Sequence, residues 1–199
     1  MAEKMTNRQI SALETKDAIY NAAMELFQSK GYENVLVEDI TKAANTAKGT
    51  FYIYFKSKKE LLFHTFAKFD ELYVDVYKQV TSIPTFEERF LTYIEVVYDG
   101  IDKRGKKLPK ALYSNSVLES NPFLLQNDRV LFQNILELMK FGIETGELST
   151  NRTAEYYRDM FKIQITGINY IWCSSTEAID IAKHAKESMR AFLHGLKNL

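Results

Sequence analysis

The chain has 199 residues, 46% of them apolar, with 26 Lys+Arg against 26 Asp+Glu. It is too apolar to remain disordered and too evenly charged to be coated in basic side chains. Residues 1–59 carry nine Lys or Arg against seven Asp or Glu, a net of +2, so any nucleic-acid role rests on the placement of charge and not on its total.

Few windows alternate with the period of strands, and only three prolines and eight glycines interrupt the chain, so it reads as all-α. Ile19, Ala22, Ala23, Leu26 and Phe27 recur at helical spacing and predict a first helix over 15–30 that stops at Gly31. Lys4 and Arg8 precede it in a leader that reads as a tail. Val37, Ile40 and Ala44 predict a two-turn second helix. After Asn45-Thr46 a third runs over about 48–54, with Phe51 and Phe55 as its inward residues. Ser57, with Glu60 three residues on, forms a capping box for a fourth helix carrying Leu61, Leu62, Phe66, Phe69, Tyr73 and Val76 and ending by Pro84.

Further helices are expected over 86–102, around 112–118 and over 123–146, with a Lys-rich loop at 103–110. The last two, 154–173 and 176–196, each carry a continuous apolar stripe about 30 Å long at 1.5 Å per residue. Two such helices make half of a four-helix bundle, so a homodimer through them is expected. No repeat or low-complexity tract is evident.

The single cysteine, Cys173, cannot close an internal disulfide and reads as a packed thiol in a reducing compartment. The start, MAEKMTNRQIS, lacks the apolar core of a signal peptide, and no run of about 18 apolar residues occurs, so a cytoplasmic protein with no membrane partner is expected.

Two short helices joined by a tight turn, the second flanked by cations and phenols, suit the DNA major groove. Gly49 would let the third helix's backbone approach the groove wall. Lys48 and Thr50 have the reach for base edges or phosphate, and Tyr52, Tyr54 and Lys58 suit phosphate oxygens on either side. Both tyrosines also fit a bland reading as half-buried phenols.

Residues 15–66 resemble the N-terminal domain of the TetR family of bacterial transcription regulators. The resemblance is carried by Ala22-Ala23 with Leu26-Phe27, Gly31-Tyr32, Asp39-Ile40, Ala43-Ala44, Lys48-Gly49-Thr50, Tyr52-x-Tyr54-Phe55 and Ser57-Lys58-x-x-Leu61. It implies a three-helix helix-turn-helix domain, at 12–72, joined to a larger helical ligand-binding and dimerisation domain, at 73–199. It also implies a dimeric repressor that reads a palindromic operator and is released by a small effector. Thr46, Lys48, Thr50 and Tyr52 would then face the groove, while Tyr54 and Lys58 grip the backbone. Three positions depart from the family pattern: Leu36 and Ala47 stand where capping oxygens are usual, and Asn45 where a turn glycine is usual. Asn tolerates the left-handed turn. Ala47 also removes a polar contact within the DNA-facing segment, and Thr46 is the candidate substitute cap.

An effector site needs an apolar cavity between helices. Phe66, Phe69, Tyr93, Tyr113 and Phe161 are its candidate lining, which favours a hydrophobic or aromatic effector. His64, His184 and His194 lack ligand spacing, so neither metal nor cofactor is expected. No nucleophile motif, phosphate loop or acid pair points to catalysis. The rival reading keeps the fold as a DNA-bound structural or cell-division factor with a protein partner and no inducer.

Overall fold

The computed structural model describes residues 6–118 and 122–197, except for the side chains of Phe66, Ala67, Phe69, Glu71 and Pro122. Among the described residues the secondary structure is entirely helical. The chain divides into two compact units, residues 1–66 and 67–199.

In the first unit, α1 (Asn7–Lys30) begins well before the expected Thr15. Thr6 Oγ1 accepts from the Gln9 amide while Gln9 Oε1 accepts from the Thr6 amide, a reciprocal box that satisfies two otherwise unpaired donors. Arg8 is therefore helical; Lys4 lies outside the described residues. Gly31, at φ 84°, ends the helix, and its amide donates to Phe27 O. A 3-10 turn (Tyr32–Asn34) leads to α2 (Val37–Ala43) and α3 (Lys48–Tyr54). Ile19, Ala23, Phe27, Val35, Ile40, Phe51, Leu61 and Leu62 fill the centre with no exposed surface. Phe55, at 3%, closes it, with its ring against Phe51 and His64.

α4 (Lys58–Val80) contributes residues to both units. In the second unit, α5 (Phe86–Arg104) packs mainly on α9 (Ile181–Leu196), and α7 (Val130–Glu144) on α8 (Ala154–Ser174). α6 (Lys107–Leu118) lies against α8 and starts earlier than expected, because Pro109 falls in its first turn, where a missing amide costs nothing. The core runs from Phe86, Phe90 and Tyr98 through Ile135 and Leu138 to Trp172 and Met189. Close helix packing fixes Gly142, since a Cβ there would sit 2.8 Å from Phe86 Cγ. The stretch 123–146, expected as one helix, is a 3-10 turn (Pro122–Leu125), four polar residues and then α7. The last helix begins at Ile181, not at Thr176, because Asp180 caps it through the Lys183 amide. No helix among the described residues is long and apolar enough to cross a membrane.

Candidate nucleic-acid interface

α2 starts without an N-cap oxygen at Leu36, but the Asp39 carboxylate accepts from the Leu36 amide at 2.9 Å and supplies half of the missing box. The turn after α2 is made at Asn45, the single non-glycine residue with positive φ (51°) among the described residues. The Thr46 amide then donates to Thr41 O at 2.9 Å and closes the corner. Ala47 is the N-cap of α3 and offers no side-chain oxygen. Thr46 does not replace it: its hydroxyl is buried and has no hydrogen-bond partner.

Phe51 faces the core from α3, and 100° per residue then decides what faces out. Ala47, Lys48, Gly49, Tyr52 and Ile53 are exposed, whereas Thr50 and Tyr54 are partly covered. Ile53 is 76% exposed and Tyr52 49%. A Cβ on Gly49 would meet nothing within 4 Å, so no packing in this chain requires glycine there. Ile53 was missed in the residue-type reading because it is apolar, although the inward registry of Phe51 and Phe55 places it on the outer face. An exposed aliphatic group on such a face suits a thymine methyl.

Two cations flank this face in different states. Lys48 Nζ lies 2.5 Å from Glu38 Oε1 of α2, and both side chains are more than half exposed. That hydrogen bond holds the Glu38 carboxyl below its ordinary range and raises the Lys48 ammonium. Lys58, at the first turn of α4, instead turns inward. Its Nζ donates to the carbonyl oxygens of Tyr32 and Val35, each at 2.8 Å, and lies 4.2 Å from the centre of the Tyr32 ring. Burial pushes the ammonium below the usual lysine value, against the pull of Glu33. Ser57 Oγ accepts from the Glu60 amide, as its spacing requires, while Glu60 Oε2 reaches the Lys56 amide at 2.6 Å. The structure thus brings Ala47, Lys48, Gly49 and Tyr52 onto one open face and sets the Lys58 ammonium behind it.

The family described as bacterial regulatory proteins, tetR family, matches residues 19–65, a span that contains the whole of this interface. Over that span the chain is similar to the tetR family. An uncharacterized HTH-type transcriptional regulator of Bacillus subtilis, YvdT, is 31% identical over 106 residues, 52% of this chain and 53% of that protein. The fatty acid metabolism regulator protein of the same organism is 23% identical over 185 residues, 90% of this chain and 94% of that protein. Among solved structures, Thermus thermophilus FadR in complex with lauroyl-CoA aligns with a TM-score of 0.72 at 22% identity, covering 91% of this chain and 94% of that one. That likeness shows that most of the chain shares the fold of that structure.

Within that fold the five expected effector-site residues are placed unevenly. Tyr93 and Phe161 have no exposed surface, and Phe161 packs edge-on to Phe90. Tyr113 is half-buried, and its hydroxyl accepts from Asn169 Nδ2 at 2.9 Å, while Tyr98 donates to Asn169 Oδ1 at 3.2 Å. The side chains of Phe66 and Phe69 lie outside the described residues. A groove of about 540 Å³ between α5 and α9 is lined by Glu87, Glu95, Lys186 and Arg190 among others; its charge is foreign to an apolar effector.

Proposed function

We propose that the chain is a homodimeric repressor that reads a palindromic operator with α3 and is released by an effector with an apolar body. The observation that carries the DNA reading is the outer face of α3, where Lys48, Gly49, Tyr52 and Ile53 are open and a Cβ on Gly49 would find no side chain within 4 Å. Gly49 admits the backbone close to the duplex, Lys48 and Thr50 reach base edges or phosphate, and Tyr52 and Tyr54 reach phosphate oxygens. Ala47 contributes through its main chain at the start of the helix, while Thr46, whose amide is held by Thr41 O, fixes the corner that presents it. Lys58 holds the corner with two of its three protons and offers the third to the backbone of the DNA.

Dimerisation is supported by the outer side of α8. Ile163 (67% exposed), Gly167, Tyr170 (64%) and Ile171 lie along one stripe, too apolar to face water as designed surface. Exposed Ala191 and Gly195 on α9 allow a second copy close approach. The functional division falls inside α4, with a reading head over 12–72 and a sensing and pairing body over 73–199.

For the effector, the whole-chain likeness to a fatty acid metabolism regulator and to FadR bound to lauroyl-CoA supports an acyl chain. Tyr93 and Phe161 have no free surface, so such a ligand opens its own space among packed rings. The dimer would hold its two heads about 34–36 Å apart, and an effector that prefers another spacing changes operator affinity about 5- to 150-fold. Selecting bound fragments from random DNA, then measuring which acyl compounds release them, tests the reading. Failure to enrich any palindrome at low salt counts against it and in favour of the rival factor with a protein partner.

A further inference from the structure

The Arg129 side chain, 9% exposed, and Asp70, 7% exposed, form an ion pair with both ends inside the second unit. Nη2 lies 2.7 Å from Oδ1 and Nε 3.0 Å from Oδ2, a two-pronged contact between α4 and the residue that starts α7. Other pairs are unlike it. Lys78 with Asp75 and Lys140 with Glu137 lie on the surface, and buried Arg158 is paired to an Asp159 that is half exposed.

Taking two charges out of water is costly, and an apolar filling of the same volume often stabilises as well; the best-attested use of such a pair is as a switch. Three features fit Arg129 to that use. The Phe123 and Phe132 ring centres lie 5.2 and 6.0 Å from its guanidinium carbon, so apolar surface borders the charge. Its main chain is the N-cap of α7 while its side chain makes no capping bond, so the side chain is free to re-aim without uncapping the helix. A second polar tie between these two helices, Asn134 Nδ2 to Tyr73 O at 2.9 Å, does not involve it and can hold their pairing while Asp70 moves.

We infer that an effector with an apolar body and a carboxylate displaces Asp70 from Arg129 and so releases the Asp70 turn of α4 from α7. The inference rests on the effector-released regulator proposed above and names the ligand group that site reads. A ligand carboxylate offers the guanidinium the same flat, two-oxygen geometry as Asp70, so the exchange leaves Arg129 satisfied. Asp70 then holds a buried charge without a partner and is driven toward water, carrying its turn of α4 with it. The preference of the ligand for one position of α4, which any such switch requires, arises from that displacement.

Sodium dodecanoate, dodecanol and lauroyl-CoA are the probes, read by anisotropy of a labelled operator fragment and by calorimetric titration. Dodecanoate should release the wild-type protein and dodecanol should not. Asp70→Asn should bind dodecanoate about tenfold tighter, within the usual range of such couplings, because a neutral amide competes less for Arg129. Arg129→Met should lose dodecanoate binding. Unchanged or weaker dodecanoate binding in folded Asp70→Asn overturns the inference. If circular dichroism finds that variant unfolded, the wild type decides, and equal release by acid and alcohol, or no release by the acid, overturns it. Release by lauroyl-CoA alone overturns the exchange at Arg129 and leaves the effector-released regulator standing. Absence of operator binding before any probe is added sinks the regulator reading instead.

Discussion

Lys58 holds Tyr32 at two points: its ammonium donates to the Tyr32 carbonyl at 2.8 Å and lies 4.2 Å from the centre of the ring. With Val35 O as a second acceptor, the first turn of α4 is pinned to the corner that precedes α2. Lys58→Met keeps the aliphatic stem and deletes the charge. Urea unfolding should report a loss of about 1.5–3 kcal/mol, the range for hydrogen bonds that involve a charged group. If the remaining proton meets a phosphate, the same variant lowers the salt dependence of operator binding by about one ion. An unchanged salt slope limits Lys58 to holding the corner.

Gly49 separates folding from function. A methyl group there touches nothing, and alanine is the better helix former, so Gly49→Ala should raise the melting temperature slightly, by up to about 1 kcal/mol of stability. Operator affinity should fall tenfold or more, because the methyl group holds α3 off the duplex. A variant that is stabilised and binds DNA normally would show that the backbone does not approach that closely.

The elements around this interface were legible because each depends on neighbours in sequence. Asn45 at the turn, Ser57 before Glu60, and Phe51 with Phe55 on one side of α3 are local choices, and the structure realises all three. The signal for α1 was equally local but lay in the Thr6–Gln9 box, upstream of the apolar repeat that set the expected start. The break between 125 and 130 was not legible. Its apolar flanks read as one helix, and the chain turns there to place Arg129 on Asp70, a partner 59 residues away. Likewise the inward bonds of Lys58 reach back 26 and 23 residues, so its charge alone could not tell a phosphate ligand from a brace.

The α8 stripe makes a prediction about assembly. Ile163 and Tyr170 are largely exposed in the single chain, so Ile163→Lys with Tyr170→Glu should leave helix content and melting temperature of the isolated subunit nearly unchanged. Sedimentation should find monomers at concentrations where the wild type is dimeric, with weaker operator binding. Point changes are preferable to removing α9, whose Ala185, Met189 and Leu193 are part of the core. A double variant that still sediments as a dimer would place the interface elsewhere.

Alkaline pH should unfold the second unit. Burial pushes the Tyr73 and Tyr113 hydroxyls up to about 12, Tyr93 and Tyr98 higher still, and the Cys173 thiol to about 11. An acid whose folded value is raised keeps its proton where the unfolded chain has lost it. The folded state then binds more protons, and stability falls as pH rises from about 9, the ordinary thiol value, through 12. Phenolate absorbance and loss of helix should appear in one transition. Buried tyrosines that titrate before any helix is lost would contradict the packing of these hydroxyls.

Glu38 places a carboxylate beside the face proposed to meet phosphate. Its pair with Lys48 is short, but both partners are mostly in water, so it contributes little to folding. On the proposed reading its cost falls on binding, because Lys48 would reach DNA only by leaving Glu38, and the carboxylate left behind would repel the backbone. Glu38→Gln keeps the size and a hydrogen-bonding oxygen while removing the charge. Operator affinity should rise several-fold, and the gain should shrink as salt is added, since screening weakens repulsion between exposed charges. Stability in urea should change by less than about 0.5 kcal/mol. If Lys48 and Glu38 instead stay paired on the duplex, to orient α3 against α2, Glu38→Gln lowers affinity at every salt concentration, and Lys48→Ala costs no more than Glu38→Gln does.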